Sequence, residues 1–180
     1  MLERNNSVLV LVDAQTKLMN VMDDAERLIQ NLKRLIKGMQ VLGIPLIVTE
    51  QYPKGLGPTI PELTDLLNPE TKVVEKITFS CTDEPKFMNA LEKTKRKQVI
   101  LCGVESHICV YQTALGLRSR GYDVEIAADA VSSRSADNRK LALFRLAQMG
   151  VGITGTEMVL FELLRRGEGD QFKAISKIVK

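Results

Sequence analysis

Three side chains of different chemistry, Asp13, Lys76 and Cys109, stand at or just beyond the ends of apolar, strand-like runs. In a parallel sheet every strand delivers its carboxyl end to one edge, so residues far apart in sequence can meet there. The segment Cys102 to Val110, CGVESHICV, takes such a run through a glycine turn into a helical pattern whose first turn carries the Cys109 thiol. A helix N-terminus offers partial positive charge and free amide donors, which lower a thiol pKa and favour the thiolate. Lys76 can then stabilise the anion, while Asp13 can take the thiol proton and return it to a leaving group. Singly, each residue has a plainer reading: Asp13 as a cap or turn, Lys76 as a solvated strand end, Cys109 as a small buried hydrophobe. Their combined placement carries the inference to nucleophilic chemistry.

The elements that must position them follow from periodicity. Ser7 to Val12 (SVLVLV) reads as a strand buried on both faces, followed by Pro45 to Thr49, Val73 to Ile77, Gln98 to Gly103, Tyr122 to Ala127 and Val151 to Thr154. Between them, helical spacing predicts helices over Asp24 to Leu42, Glu84 to Lys95, His107 to Arg120, Ala136 to Met149 and Glu157 to Arg166. Asp23 or Asp24 is the expected cap of the long helix and Gly43 its stop. Alternation of this kind predicts a three-layer α/β/α fold with a mainly parallel six-stranded sheet, within one domain over residues 1–180. The exception to short connections is Glu50 to Pro69, rich in Pro and Gly, where a short helix is expected near Ile60 to Leu67. A long irregular segment leaving the carboxyl end of a strand lies where such folds place ligands.

Composition narrows the function classes. With 25 Lys and Arg against 22 Asp and Glu, the net charge of +3 is too small and dispersed to predict nucleic-acid binding. The run Lys93 to Lys97 reads as the solvated end of a helix. Three cysteines without CxxC spacing suit a reducing, cytoplasmic setting. No apolar run approaches the ~20 residues that span a bilayer, so no membrane partner is expected. The single histidine, His107, without clustered cysteines predicts no metal. No G-x-G-x-x-G turn in a strand-to-helix context is present, so no nucleotide cofactor is expected.

Asp13-Ala14-Gln15, Lys76 with Thr78-Phe79-Ser80, and Gly103-Val104-Glu105-Ser106-His107-Ile108-Cys109-Val110 are similar in order and spacing to the signatures of isochorismatase-like cysteine hydrolases. Thr49-Glu50-Gln51-Tyr52-Pro53-Lys54-Gly55-Leu56-Gly57-Pro58 and Gln171-Phe172-Lys173 resemble in particular the branch of small isochorismatase-domain-containing proteins. The resemblance implies that Asp13 is a general base, Lys76 its electrostatic partner and Cys109 the nucleophile. It further implies a cis peptide between Val104 and Glu105, with the amides of Glu105 and Cys109 forming an oxyanion hole. Gln15, Leu18, Glu50, Tyr52, Phe79 and His107 become candidates for lining a substrate pocket.

Two departures sharpen what the resemblance implies. Nicotinamidase-like relatives carry an Asp-x-His pair and further histidines after the second strand, where Glu50-Gln51-Tyr52 stands here. Relatives that hydrolyse the vinyl ether of isochorismate lack the nucleophilic cysteine. The expectation is therefore a metal-free cysteine hydrolase acting on a small-molecule amide, carbamoyl or related acyl bond, assembled as a homo-oligomer like many relatives. The competing readings are a catalytically quiet scaffold with a redox-sensitive cysteine, and isochorismate-type ether hydrolysis. Cys102 reads as core, Cys81 as structural though close to Lys76, and Asp129 as a turn residue.

Overall fold

A computed structural model describes residues 1–180. Six strands, β1 (Ser7–Val12), β2 (Leu46–Gln51), β3 (Lys72–Lys76), β4 (Gln98–Val104), β5 (Asp123–Ser132) and β6 (Gly152–Thr154), form one sheet in the order β3-β2-β1-β4-β5-β6. Every pairing is parallel, so the sheet is wholly rather than mainly parallel. Because β1 and β4 lie at its centre, their residues are buried on both faces and read as unbroken apolar runs.

Helices cover both faces. Four short or long segments precede β3: α1 (Thr16–Met19), α2 (Ala25–Leu42), α3 (Pro53–Leu56) and α4 (Pro61–Thr64). After it come a 3₁₀ turn (Cys81–Asp83), α5 (Pro85–Lys93), a π turn (Ser106–Val110), α6 (Tyr111–Ser119), α7 (Ala136–Gln148), α8 (Thr156–Leu164) and α9 (Gly169–Val179). Leu9 and Leu11 of β1 pack with the apolar stripe of α2 and with α8, whereas Val8, Val10 and Val12 pack on the other face with Phe87, Leu91, Ala114 and Leu117 of α5 and α6. The strand's period of two thus divides the core into two layers.

Several expectations are adjusted by local chemistry. The α2 cap is Asp24, but its backbone is left-handed and its side chain pairs with Arg27 at 2.5 Å instead of bonding a helix amide. Gly43 ends the helix with φ 66°, as expected. The pattern over His107 to Arg120 divides into the π turn and α6, because the Glu105 carbonyl accepts from both Ile108 N and Val110 N. The basic run starts at the exposed end of α5, Lys93, as expected, and continues as a tight turn: Lys95 has φ 57°, Arg96 donates to the carbonyls of Arg4 and Ser7, and Lys97 lies 4.5 Å over the Tyr122 ring. β5 extends five residues beyond the expected Ala127. Its pairing with β4 jumps from Leu101↔Ile126 to Gly103↔Val131, and the freed carbonyl of Asp129 is taken by Asn31 at 2.9 Å and that of Val131 by Arg139 at 3.0 Å. Asp129 itself accepts from the Thr156 amide at 2.8 Å, anchoring the start of α8.

Gly103 fixes how closely β4 approaches β1 just before Asp13. It has φ 105°, and a Cβ there would lie 2.0 Å from the Val12 carbonyl oxygen. Only glycine fits such a conformation without displacing the neighbouring backbone. Gly103→Ala is therefore expected to destabilise the fold by more than about 1 kcal/mol. The corresponding fall in Tm, at least ~2 °C for a chain of this size, is measurable by thermal unfolding, and no change would show that β1 and β4 tolerate separation here.

Candidate active site

β2 lies between β1 and β3, so Asp13 and Lys76 issue from strands that are not neighbours. With adjacent strands ~4.8 Å apart, their side chains must meet across the end of β2. Lys76 pairs in register with Gln51, and Val74 before it with Thr49. Val74 and Ile47 belong to the α5/α6 side of the core, which puts Lys76, Thr49 and Gln51 on that face too. Alternation alone would send Asp13 to the opposite face. Its left-handed backbone, φ 48°, breaks the alternation, and aspartate is among the few residues that tolerate this conformation.

The outcome is a buried ion pair: Lys76 Nζ donates to Asp13 Oδ2 at 2.6 Å, with neither side chain exposed. Nζ also donates to Gln51 Oε1 at 2.8 Å and to the carbonyls of Thr78 and Phe79 at 3.2 and 3.3 Å. Asp13 Oδ1 accepts from Thr49 Oγ1 at 2.7 Å. Burial alone would pull the lysine down, but the Asp13 carboxylate, followed by the Cys81 and Cys109 sulfurs, outweighs it and holds the ammonium above its ordinary pKa.

Cys109, in the π turn, is 6% exposed and packs on the same face as Val12 and Val74. Burial pushes its thiol far above the ordinary range, the Asp13 charge adds to this, and Lys76 only partly opposes them. This reverses the expectation of a thiolate favoured by a helix terminus. Removal from water and a facing carboxylate outweigh the amide dipoles, so the cluster at rest is a carboxylate, an ammonium and a neutral thiol. Cys81 is a second buried thiol beside it, pushed up to about 11 by burial and then by Asp13. Its Sγ donates to Thr49 Oγ1 at 3.8 Å and its amide to Thr113 Oγ1 at 2.9 Å. Cys102 is fully buried, with Sγ 3.5 Å from the Val10 carbonyl.

The peptide between Val104 and Glu105 is cis, at the junction of β4 and the π turn. The Glu105 carboxylate turns to Arg134, accepting from its amide at 3.1 Å and its Nε at 3.0 Å.

The candidate pocket residues separate into two groups. Gln15 is fully buried, and its amide is spent on the connection after β2: Nε2 donates to the carbonyls of Gln51 and Gly57, and Oε1 accepts from Gln51 N. Glu50 Oε1 likewise accepts from Thr59 N at 2.7 Å and Thr59 Oγ1 at 2.8 Å. These two residues hold the Glu50–Pro69 connection against β1, where Gln15 and Thr59 form an isolated bridge. Leu18 packs on the α2 side of the core. Tyr52 and Phe79, just beyond β2 and β3, are 51% and 55% exposed at the sheet edge. His107 is turned to Ser133, Nδ1 lying 2.9 Å from its Oγ, and lines a cavity of about 290 Å³ with Tyr111, Asn138 and Arg145. No three His, Cys, Asp or Glu side chains gather in a metal-holding arrangement. Thr49 and Gln51 contact the ion pair directly although neither was singled out from the sequence for it. The available signal was a polar residue at alternate positions, Thr49 and Gln51, at the carboxyl end of an otherwise apolar strand.

Residues 7–158 match the isochorismatase domain family. The chain is 42% identical over 179 residues to isochorismatase domain-containing protein 2 of Danio rerio, covering 99% of this chain and 89% of that protein. Among solved structures, it resembles the MAR1 ribonuclease of Caenorhabditis elegans at 37% identity and TM-score 0.93, covering 99% of this chain and 91% of the other. YcaC of Pseudomonas aeruginosa, solved with covalent acrylamide, matches at 25% identity and TM-score 0.93 over 99% and 89% of the two chains. YcaC of Escherichia coli, described as an octameric hydrolase of unknown specificity, matches at 26% identity and TM-score 0.93 over 98% and 88%.

The three thiols differ in access, and this sets an order of reaction. Cys81 and Cys102 are fully buried, while Cys109 retains slight exposure. Acrylamide applied to the native protein is expected to modify Cys109 first, with Cys81 and Cys102 reacting only on unfolding. Peptide mapping by mass spectrometry reads the order, and modification of Cys81 ahead of Cys109 would contradict this picture of the site.

Proposed function

The chain belongs to the isochorismatase family, and from that premise we propose that it is a cysteine hydrolase of small-molecule amide, carbamoyl or related acyl bonds. The observation that carries this reading is the buried Asp13–Lys76 pair at 2.6 Å beside the neutral thiol of Cys109. As the substrate carbonyl enters, Asp13 takes the Sγ proton and the sulfur attacks the carbonyl carbon. A C–S bond forms and the C=O π pair moves to oxygen, where the amides of Glu105 and Cys109 donate to it. Collapse of this intermediate breaks the C–N bond, and the proton held by Asp13 passes to the departing amine. Water then attacks the thioester, its proton returning through Asp13 to the sulfur as the acid is released. Lys76 pairs with the carboxylate between steps and offsets the negative charge on sulfur. Tyr52 and Phe79, exposed at the sheet edge, are the candidates for contact with the substrate, while Gln15 and Glu50 shape its surroundings by holding the adjacent connection.

Covalent acrylamide in the YcaC structure supports the presence of an electrophile-reactive group in a related protein, and acrylamide is itself a small amide. The thiol in place of a water-activating group favours acyl transfer over ether hydrolysis. For assembly, we propose a homo-oligomer: Leu141, Phe144 and Met158 are 58%, 61% and 63% exposed, and the related E. coli protein is octameric. No helix is long and apolar enough to cross a membrane, and three free thiols fit a reducing compartment such as the cytoplasm.

A panel of small amides and carbamoyl compounds tests the reaction. At least one is expected to be turned over through a mass-detectable Cys109 adduct. Cys109→Ala should abolish both, and Asp13→Asn should lower kcat by at least ~100-fold. Turnover that survives Cys109→Ala, or cleavage of RNA without any adduct, would defeat the reading. Light scattering on the purified protein should give a mass several times the 20.1 kDa chain, and a monomer would remove the oligomer proposal.

A further inference from the structure

We infer that Thr49 and Gln51, on one face of β2, are positioning residues that fix the Asp13–Lys76 pair for proton transfer with Cys109. This inference rests on the reading of Asp13 as the base. The hydroxyl of Thr49 has one proton, and it is given to Asp13 Oδ1 at 2.7 Å. Thr49 is fully buried, so water cannot compete for that proton, and the Cys81 Sγ donates to the same hydroxyl oxygen at 3.8 Å. The hydroxyl rotor is thereby held from both sides. Gln51 is oriented just as firmly. Its Nε2 donates to the Ile77 carbonyl at 2.6 Å, which leaves Oε1 facing Lys76 Nζ at 2.8 Å; the flipped amide would set an N–H against the ammonium.

The pair needs this support because β2 separates its two strands. A lysine reaching across a strand is free in its stem torsions, and a carboxylate can rotate about its own axis. With Oδ1 bonded to Thr49 and Oδ2 to Lys76, the plane of the carboxylate is set, and its remaining accepting capacity is left for the Cys109 thiol. The ionisable groups acting with Asp13 in this pocket are Lys76 from β3, Cys81 from the 3₁₀ turn and Cys109 from the π turn.

The test reads the rate of Cys109 modification by acrylamide against pH, by mass spectrometry of the intact protein. It compares the natural chain with Thr49→Val, Thr49→Ser, Gln51→Leu and Asp13→Asn, with thermal unfolding as the folding control. Thr49→Val should lower the plateau rate by ~10-fold through loss of the carboxylate's fixed orientation, and Thr49→Ser should restore it. Gln51→Leu should lower the plateau rate by ~10-fold through misplacement of Lys76. Should Thr49→Val fail to fold, Thr49→Ala carries the same reading. An unchanged plateau rate in the folded Thr49 and Gln51 variants, together with a flattened profile in Asp13→Asn, would overturn the positioning role and leave Asp13 as base. A natural profile in Asp13→Asn would remove the base itself, and this inference with it.

Discussion

Asp13 and Lys76 form two opposite charges 2.6 Å apart with neither side chain reaching water. Removing a pair of ions from solvent costs several kcal/mol per ion unless close geometry and further hydrogen bonds compensate. Here the compensation is itemised atom by atom: Thr49 on one carboxylate oxygen, and Gln51 with two backbone carbonyls on the ammonium. The end of β2, the backbone after β3 and the conformation of Asp13 must all satisfy this requirement. Such a pair is poor support for stability as such, since apolar replacements of buried ion pairs often stabilise. Its place at the carboxyl edge of the sheet is where folds of this kind hold ligands.

The same constraint reaches into the backbone. Asp13 leaves the alternation of β1 through a left-handed φ, crossing from the α2 side of the sheet to the α5/α6 side where Lys76 and Cys109 face the core. Gly103 lets β4 approach closely at the level of Val12, one residue before that crossing, and β4 leads directly into the turn that carries Cys109. Asp13 and Cys109 are therefore positioned by adjacent central strands, and the lysine is brought in from two strands away.

Much of this was legible in the sequence because it follows from periodicity. SVLVLV reads as a central strand because both its faces are apolar, and the α2 stripe reads as a helix because one of its faces is. Asp13, Lys76 and Cys109 were legible as a set because a parallel sheet collects strand ends. Less legible were features decided by tertiary bonds. The last part of β5 depends on Asn31 and Arg139 taking carbonyls that its ladder loses. By contrast α9 is outside the expected elements although Phe172, Ile175 and Ile178 recur at helical spacing, a pattern legible in the sequence. The roles of Gln15 and Glu50 depended on where the Glu50–Pro69 connection folds back, which no single residue encodes. The protonation of Cys109 is not legible, because a helix terminus is visible in sequence whereas burial against a carboxylate is visible only in three dimensions.

The neutral thiol of Cys109 sets the charge of the cluster. At rest a carboxylate, an ammonium and a neutral thiol sum to zero. Losing the thiol proton to solvent would leave a net negative charge in a site almost without exposure, which is costly. Passing it to Asp13 forms a thiolate, an ammonium and a neutral carboxyl, which again sum to zero. Neutrality of the buried cluster thus favours transfer of the proton between Cys109 and Asp13 over its release, with Lys76 charged in both states. A neutral thiol beside an oriented carboxylate also keeps the sulfur protected until an electrophile arrives to use it. The raised thiol pKa and the buried ion pair are in this sense one feature: each is a consequence of enclosing Asp13, Lys76 and Cys109 together away from water.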